Sequence, residues 1–527
     1  MKKSVIIIGT SIVIFASLLV ILKKSSPKII PPQNEFRFHV TTEPPSLDWT
    51  LATDHVSHDF INNIMEGLIQ YNDKLQPIPA LAEKWEISED GKRYTFHLQK
   101  NVQWSDGQPL LAQHFVDSWE RLLNPKTASE YAYFLYDITN AQNYNSGQVK
   151  DFKQVGIKAE DSHTLSIELS HPAAYFLAIN AFWVTYPIRI DIIEKHKDKW
   201  TEPKNIVTLG PFLLKEWEHD YRIILEKNPY YYGSQPGVEK ITAYIINEDA
   251  TALSLYETGK IDILRKIPPT VISKYKNRED YKTAPYLREY YYGFNTKKKP
   301  FDDVKVRRAV SMAIDRSQFS TILGGNQIAT TSWVPKGMMG YEPDMGLKFN
   351  PTEAKKLLTE AGYPNGKGFP IFQLVYDSRD DNKIIAENLQ QQLKEVLNVE
   401  ITIINQEWKI HLKQLEIDPP QFWRLGWGAD FPDPDNFLNL FTSYSGNNKT
   451  KWSNPEYDRL IAEGAKEFNL QKRLDIYRRA QKILTEEDVP IVPLFIEALN
   501  YLIRPYVKGY RMDAMSLHIL KNVKIEK

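Results

Sequence analysis

The sequence predicts an α/β or α+β fold, with mixed sheets flanked by helices in several lobes. Three observations carry this. Apolar and polar residues alternate with period two at Tyr94, Phe96 and Leu98, and again at Leu165, Ile167 and Leu169, the mark of half-buried strands. A strand–helix–strand unit is legible from Phe372 to Asn405. The chain has 527 residues, 42% of them apolar, which corresponds to roughly three domains with substantial cores.

In chain order, Lys2 and Lys3 precede an uncharged, mostly apolar run from Ser4 to Leu22, and Lys23 and Lys24 follow. As a helix this run would span about 28 Å, close to a bilayer core. No small-x-small cleavage site follows it, so an uncleaved anchor over 1–24 is favoured over a cleaved signal peptide. Residues 25–35, with Pro27, Pro31 and Pro32, read as a tether. Asp161-Ser162 reads as a turn between strand-like runs. Asn350-Pro351-Thr352-Glu353 combines a cap, a proline in the first turn and a capping-box acid, and Gly362 ends that helix; Ser453-Asn454-Pro455-Glu456 opens another in the same way. In the later unit, Phe372–Tyr376 reads as a strand. Asn382–Leu397 is a helix with Ile385, Leu389, Leu393 and Val396 on one face. Val399–Asn405 is the next strand, parallel to the first through a right-handed crossover.

Composition narrows the function. Lys+Arg and Asp+Glu number 66 each, so net charge suggests no polyanionic partner and no nucleic acid. The absence of cysteine excludes disulfides, thiol nucleophiles, zinc–thiolate sites and lipid attachment through an N-terminal cysteine. Aromatics reach 12%, with 29 Tyr and 12 Trp, suited to a half-apolar, half-wet cleft and equally to large cores.

The most telling run is Trp427-Gly428-Ala429-Asp430-Phe431-Pro432-Asp433-Pro434-Asp435-Asn436. Small residues let other groups approach the backbone beside Asp430, and two prolines stiffen the chain just after it. In a partly dry loop the Asp430 carboxylate calls for a cation such as an ammonium group; the plain alternative is an acidic turn. Asp430, Asp433 and Asp435 are also candidates for a glycosidase-type acid and base. However, nothing specifies a sugar site, and neither Gly-x-Ser-x-Gly nor His-Glu-x-x-His occurs. His55 and His58 form the one close histidine pair, a nickel-type ligand pair or, on the favoured reading, surface histidines on a helix. No enzyme activity, cofactor or metal is expected.

A series of short blocks makes the chain resemble the solute-binding proteins of the peptide/nickel ABC-transporter family, in its oligopeptide-binding branch. They are Ser46-Leu47-Asp48, Glu66-Gly67-Leu68, Pro79-Ala80-Leu81-Ala82-Glu83-Lys84-Trp85, Trp104-Ser105-Asp106-Gly107, Phe115-Val116-Asp117-Ser118-Trp119, Asn205-Ile206-Val207-Thr208, Tyr290-Tyr291-Tyr292, Pro300-Phe301-Asp302-Asp303-Val304 and Asn405-Gln406-Glu407-Trp408. The match runs in order from about Phe36 to Tyr510.

The resemblance implies an α/β two-lobe periplasmic-binding-protein fold with mixed sheets and an additional packed domain. Lobe I would take 36–60, 181–284 and 491–527, the additional domain 61–180 and lobe II 285–490, with hinge crossings near Pro285 and Pro490. It implies a monomer that captures short peptides between its lobes, main chain to main chain, and delivers them to an inner-membrane ABC permease from the periplasm, anchored by its N-terminal helix. The alternatives are a membrane-tethered peptide sensor or chaperone, and a nickel or dipeptide binder.

Asp430 stands at the family's position for the peptide α-ammonium. Trp427, Gly428 and Ala429 would supply backbone, and Glu43 would face the same strand from the other lobe. Tyr131, Tyr291 and Trp408 match aromatic positions around side-chain pockets. Arg424 matches an arginine that meets the peptide carboxylate; its alternative is an internal salt bridge to Asp433 or Asp435. Two departures stand out. Asn382 occupies the place of a histidine, and Arg288 and Gly428 occupy the places of a disulfide pair, so packing and hydrogen bonds alone must hold the ligand loop.

Overall fold

The alternating runs form strands where the pattern predicts. Arg93–Leu98 pairs antiparallel with Thr164–Glu168, with Tyr94, Phe96, Leu165 and Ile167 all at 0% exposure on the inner face. With Ala82–Ile87 and Ile157–Asp161 they make a four-stranded sheet. The computed structural model describes residues 34–527, apart from Asp73, Pro269, Thr270, Asp513, Ser516, Leu517 and Lys527. The expected anchor, 1–24, lies outside the described residues, as does all but the end of the tether. Among the described residues no helix is long and apolar enough to cross a membrane.

A second four-stranded sheet is built from Glu35–Val40, Lys240–Ile245, Arg222–Lys227 and Phe212–Glu218, in that order. One continuous core joins it to the first sheet, running from Phe36 and Leu225 to Phe96 and Leu165. The domain around residues 82–168 therefore packs directly on this lobe.

The third sheet has seven strands. Its main path runs Ile263–Leu264, Ile491–Ile503, Tyr281–Phe294, Phe422–Gly428, Phe372–Asp377, Ile401–Gln406. The predicted crossover unit is here: 372–377 and 401–406 are parallel, in register Phe372↔Ile401, with the helix Asp380–Leu397 between them. Ile385, Leu389 and Leu393 of that helix are fully buried on the sheet. The predicted caps form too: Asn350 accepts from the Glu353 N–H, and Asn454 from the N–H groups of Glu456 and Tyr457.

Strands 281–294 and 491–503 pair antiparallel along most of their length and link the two lobes. At one end Leu502 packs with Ala252, Tyr256 and Ile261. At the other, Tyr290, Val492 and Phe495 pack with Leu374 and Phe422. Between these ends the register shifts, from Pro285↔Ala498 to Glu289↔Ile496, a bulge that bends the strand.

Candidate functional site

Strands 372–377, 401–406 and 422–428 are mutually parallel, so their carboxyl ends share one edge of the sheet, the edge at which open α/β sheets gather ligands. Residues distant in sequence meet there. Asp377 ends the first strand and Asn382 follows it, Trp408 opens the helix Trp408–Ile417 after the second, and Ala429 and Asp430 follow the third.

The loop after 422–428 is tied down without a disulfide. Arg288 and Gly428 stand directly opposite in the ladder, and a Cβ on Gly428 would meet the Arg288 Cγ at 3.9 Å, so the arginine stem lies over the glycine. The Ala429 N–H donates to the Leu287 carbonyl at 2.9 Å. The Asn436 side-chain oxygen accepts from Trp427 Nε1 and from the Asp430 N–H, both at 3.1 Å. Arg473 grips Asp433 through two bonds of 2.6 and 2.7 Å. Phe431 buries its ring in the core of the opposite lobe, stacked on Tyr175 at 5.8 Å.

Asp430 is thereby held between the lobes. It lines a small cavity with His55, His58, Phe182 and Trp183, and a second of about 810 Å³ with Tyr133, Tyr175, Trp427 and Asp435. Burial pushes its carboxyl up to about 7; Asn436 pulls weakly the other way, and among the described residues no protein cation acts on it. Burial and then the Asp430 charge raise the phenols of Tyr131 and Tyr133, which approach from the packed domain. Tyr131 stacks edge-on against Phe134, Phe182 and Trp183.

The other expected site residues divide. Arg424 is 1% exposed and pairs with Asp377 at 2.8 Å, with its guanidinium over the Tyr290 ring at 4.3 Å. Its ion-pair partner is thus neither Asp433 nor Asp435, because the side chain points to the Tyr290 face of the sheet and Asp433 is taken by Arg473. Its Nε and Nη2 make no hydrogen bond among the described residues. Asn382 is occupied locally, accepting from the Tyr290 hydroxyl at 2.8 Å and donating to the Asp377 carbonyl at 3.0 Å.

Tyr291 lies on the sheet face opposite Tyr290 and belongs to a core, 2% exposed among Trp333, Trp423 and Phe441. Trp408 is 44% exposed and stands at the carboxyl edge of the parallel strands without lining either cavity. The Glu43 carboxylate turns to its own lobe: Trp217 donates at 2.7 Å, the Asp220 N–H at 3.2 Å, and His219 is in contact. Burial opposes its charge, but these bonds outweigh it and hold the carboxyl below its ordinary value.

His55 and His58 divide: His55 is exposed, as expected of a surface histidine, and His58 is buried. His58 is 7% exposed against the Trp183 ring at 3.8 Å, and burial drives its pKa well down. Both line the small cavity beside Asp430 because the helix His55–Ile64 begins at the cleft. Among the described residues no three His, Cys, Asp or Glu side chains converge as metal ligands. The Arg473 bond takes Asp433 out of any acid–base pair. Sequence reasoning missed Asn436 and Phe431; the spacing of Asn436 from Asp430 carries no signal until the loop folds back.

Comparison with known proteins agrees with this arrangement. The family model "Bacterial extracellular solute-binding proteins, family 5 Middle" matches residues 76–449. The oligopeptide-binding protein OppA of Bacillus subtilis is 34% identical over 490 residues, 90% of this chain and 89% of its own. The probable deoxycholate-binding periplasmic protein YgiS of Escherichia coli is 32% identical over 493 residues, 91% of each chain. The structure of the Escherichia coli murein tripeptide binding protein MppA superimposes with a TM-score of 0.80 at 32% identity, covering 94% of this chain and 98% of that one. With its two lobes and mixed sheets, the chain belongs to family 5 of the bacterial extracellular solute-binding proteins.

Proposed function

We propose that this protein captures short peptides between its lobes outside the cytoplasm and hands them to an ABC permease for import. The observation that carries the reading is Asp430, a carboxylate held rigidly between lobes with no protein cation acting on it among the described residues. A peptide α-ammonium supplies the missing charge, and burial makes that pairing strong. The half-buried Trp427–Gly428 segment offers main-chain groups for the hydrogen bonds common to every peptide. An amphipathic acid such as deoxycholate brings a second anion and gains nothing from Asp430. The site works by binding alone, and no catalytic role is assigned to it.

In this reading the lobes close about the bulge between Pro285 and Glu289 and its neighbour Glu497, where two adjacent strands cross. Tyr131 and Trp408 flank the bound chain. Glu43 shapes the wall of the opposite lobe through Trp217 and His219 and does not carry ligand charge. The Ser4–Leu22 run anchors the protein to the membrane, which raises its concentration near a permease. Intact mass of the mature protein tests the anchor, and a start between Ser17 and Glu35 would overturn it.

Calorimetry tests the function. Ala-Ala-Ala should bind, N-acetyl-Ala-Ala-Ala should bind far more weakly, and deoxycholate should not compete. Equal affinity for the free and acetylated tripeptides would sink the assignment of Asp430.

A further inference from the structure

We propose that segment 464–469 of lobe II is a latch on the packed domain, and that Arg473 is a positioning residue that ties this latch to the Asp430 loop, so that seating a ligand and fastening the lobes are one event. The coupling rests on the reading of Asp430 as a ligand site; the latch itself does not.

The segment joins the helices Pro455–Lys466 and Leu470–Lys482. It meets the packed domain at two points. The Ala174 N–H donates to the Ala465 carbonyl at 2.9 Å. The Phe468 ring lies over Gly91, where a Cβ would stand 2.5 Å from the ring Cε2 and 3.3 Å from the Pro172 Cβ. Gly91 has a φ of +67°, so glycine supplies both the left-handed turn and the bare surface that the ring needs. Gly91, Pro172, Ala174, Ala465, Phe468 and Arg473 line neither cavity beside Asp430. Their effect on a ligand can therefore act only through the lobes.

Both sides of the contact are braced. On the packed domain the Gly91 N–H donates to the Ser88 carbonyl at 2.8 Å, and the Tyr94 hydroxyl donates to the Ala173 carbonyl at 3.1 Å. On lobe II a Cβ at Gly464 would collide with the Tyr477 ring, so that ring rests directly on the helix. Asn469 caps the following helix by accepting from the Lys472 N–H. Rigid parts on both sides make the contact either formed or broken, not gradually stretched.

Arg473 joins the latch to the ligand loop. It is 4% exposed. Its Nε donates to the Gly464 carbonyl at 2.9 Å, while Nη1 and Nη2 hold the Asp433 carboxylate at 2.6 and 2.7 Å. Asp433 stands three residues after Asp430, beyond the stiff Phe431-Pro432 step. One planar fork thus spans the segment that grips the packed domain and the loop that carries Asp430. A lysine would keep the charge but could not reach these three acceptors in one plane.

The test uses the full chain. It has no cysteine, so Gln148→Cys and Lys472→Cys, at exposed positions on the packed domain and on lobe II, take spin labels at those two sites alone. Dipolar distances between the labels report the lobes in peptide-free protein, and stopped-flow tryptophan fluorescence reports Ala-Ala-Ala dissociation. Phe468→Ala is expected to broaden the distance distribution and to speed dissociation about fivefold, the scale of part of a phenylalanine ring returned to water, with the association rate unchanged. Arg473→Lys should do the same. Should it fail to fold, Asp433→Asn cuts the link from the other end. A variant carrying both Phe468→Ala and Arg473→Lys should dissociate about as fast as the faster single variant, because both changes act through one contact. An unchanged distance distribution in Phe468→Ala overturns the latch. Factors that multiply in the double variant, or an unchanged distribution in Arg473→Lys, overturn the coupling. If Ala-Ala-Ala does not bind the parent protein, the peptide reading falls, and the distance distributions alone decide the latch and its link to Arg473.

Discussion

Arg424 and Asp430 stand on one short stretch of chain, in a strand and in the loop after it, and the fold treats them in opposite ways. Arg424 is locked into the sheet by Asp377 and Tyr290. Asp430 is fixed through its backbone N–H by Asn436, while among the described residues no protein cation acts on its carboxylate. A buried charge with its own counter-ion is part of the architecture. A buried charge that the protein positions but does not neutralise is a place for a ligand's charge. Glu43, by contrast, has Trp217, His219 and the Asp220 N–H of its own lobe around it.

The largest expected effect breaks the Arg424 side of this comparison. Asp377→Asn leaves a buried guanidinium without its counter-charge and should cost about 3–5 kcal/mol of stability in denaturant unfolding. A loss below about 1 kcal/mol would mean that Arg424 is solvated or paired elsewhere, and the contrast with Asp430 would fail.

Asp430→Asn acts on binding instead. It should weaken a free tripeptide by about 2–5 kcal/mol in calorimetry, as for one side of a buried charge pair. The apoprotein should gain stability at pH 8, because a desolvated charge has been removed. An apoprotein as destabilised as Asp377→Asn would show that Asp430 is structural too.

A pH series sharpens the same point. The Asp430 carboxyl rises from 3.8 to about 7 on folding, so between these values the folded state holds a proton that the unfolded chain has released. Its contribution to apoprotein stability therefore declines as pH rises from near 4 through about 7. An ammonium ligand pairs with the ionised form, so peptide affinity should climb by up to about tenfold per pH unit towards pH 7 and then level off. Asp435 also rises to about 7, so Asp430→Asn serves as the control: the climb should flatten in that variant. Affinity that falls between pH 5 and 7 would refute the pairing.

The smallest effect tests the clamp. Asn436→Ala removes the acceptor shared by Trp427 Nε1 and the Asp430 N–H. Peptide affinity should fall by about 1–2 kcal/mol, near the value of one or two modest hydrogen bonds. An unchanged affinity would show that Phe431, buried in the opposite lobe, positions Asp430 alone.

Sequence by itself determined whatever depends on neighbours along the chain. The strands at 93–98 and 164–168, the crossover unit at 372–406 and the Asn350 and Asn454 caps follow from periodicity and cap chemistry, which act within a few residues. Family blocks carried the two-lobe fold, and one acid in a stiff, small-residue loop pointed to Asp430. Only tertiary structure decided who partners whom. Tyr290 and Tyr291 look alike in sequence, yet the strand's two-residue period sends one ring beneath Arg424 and the other into the Trp333–Trp423 core. His58 reads as a surface histidine like its exposed neighbour His55, because the helix that bears them gives no sign of Trp183, which is brought beside His58 from far along the chain. The partner of Arg424 proved to be Asp377, at the end of a parallel strand far back in the sequence. Long-range pairing of this kind is set by sheet order and strand direction, and no local pattern encodes either.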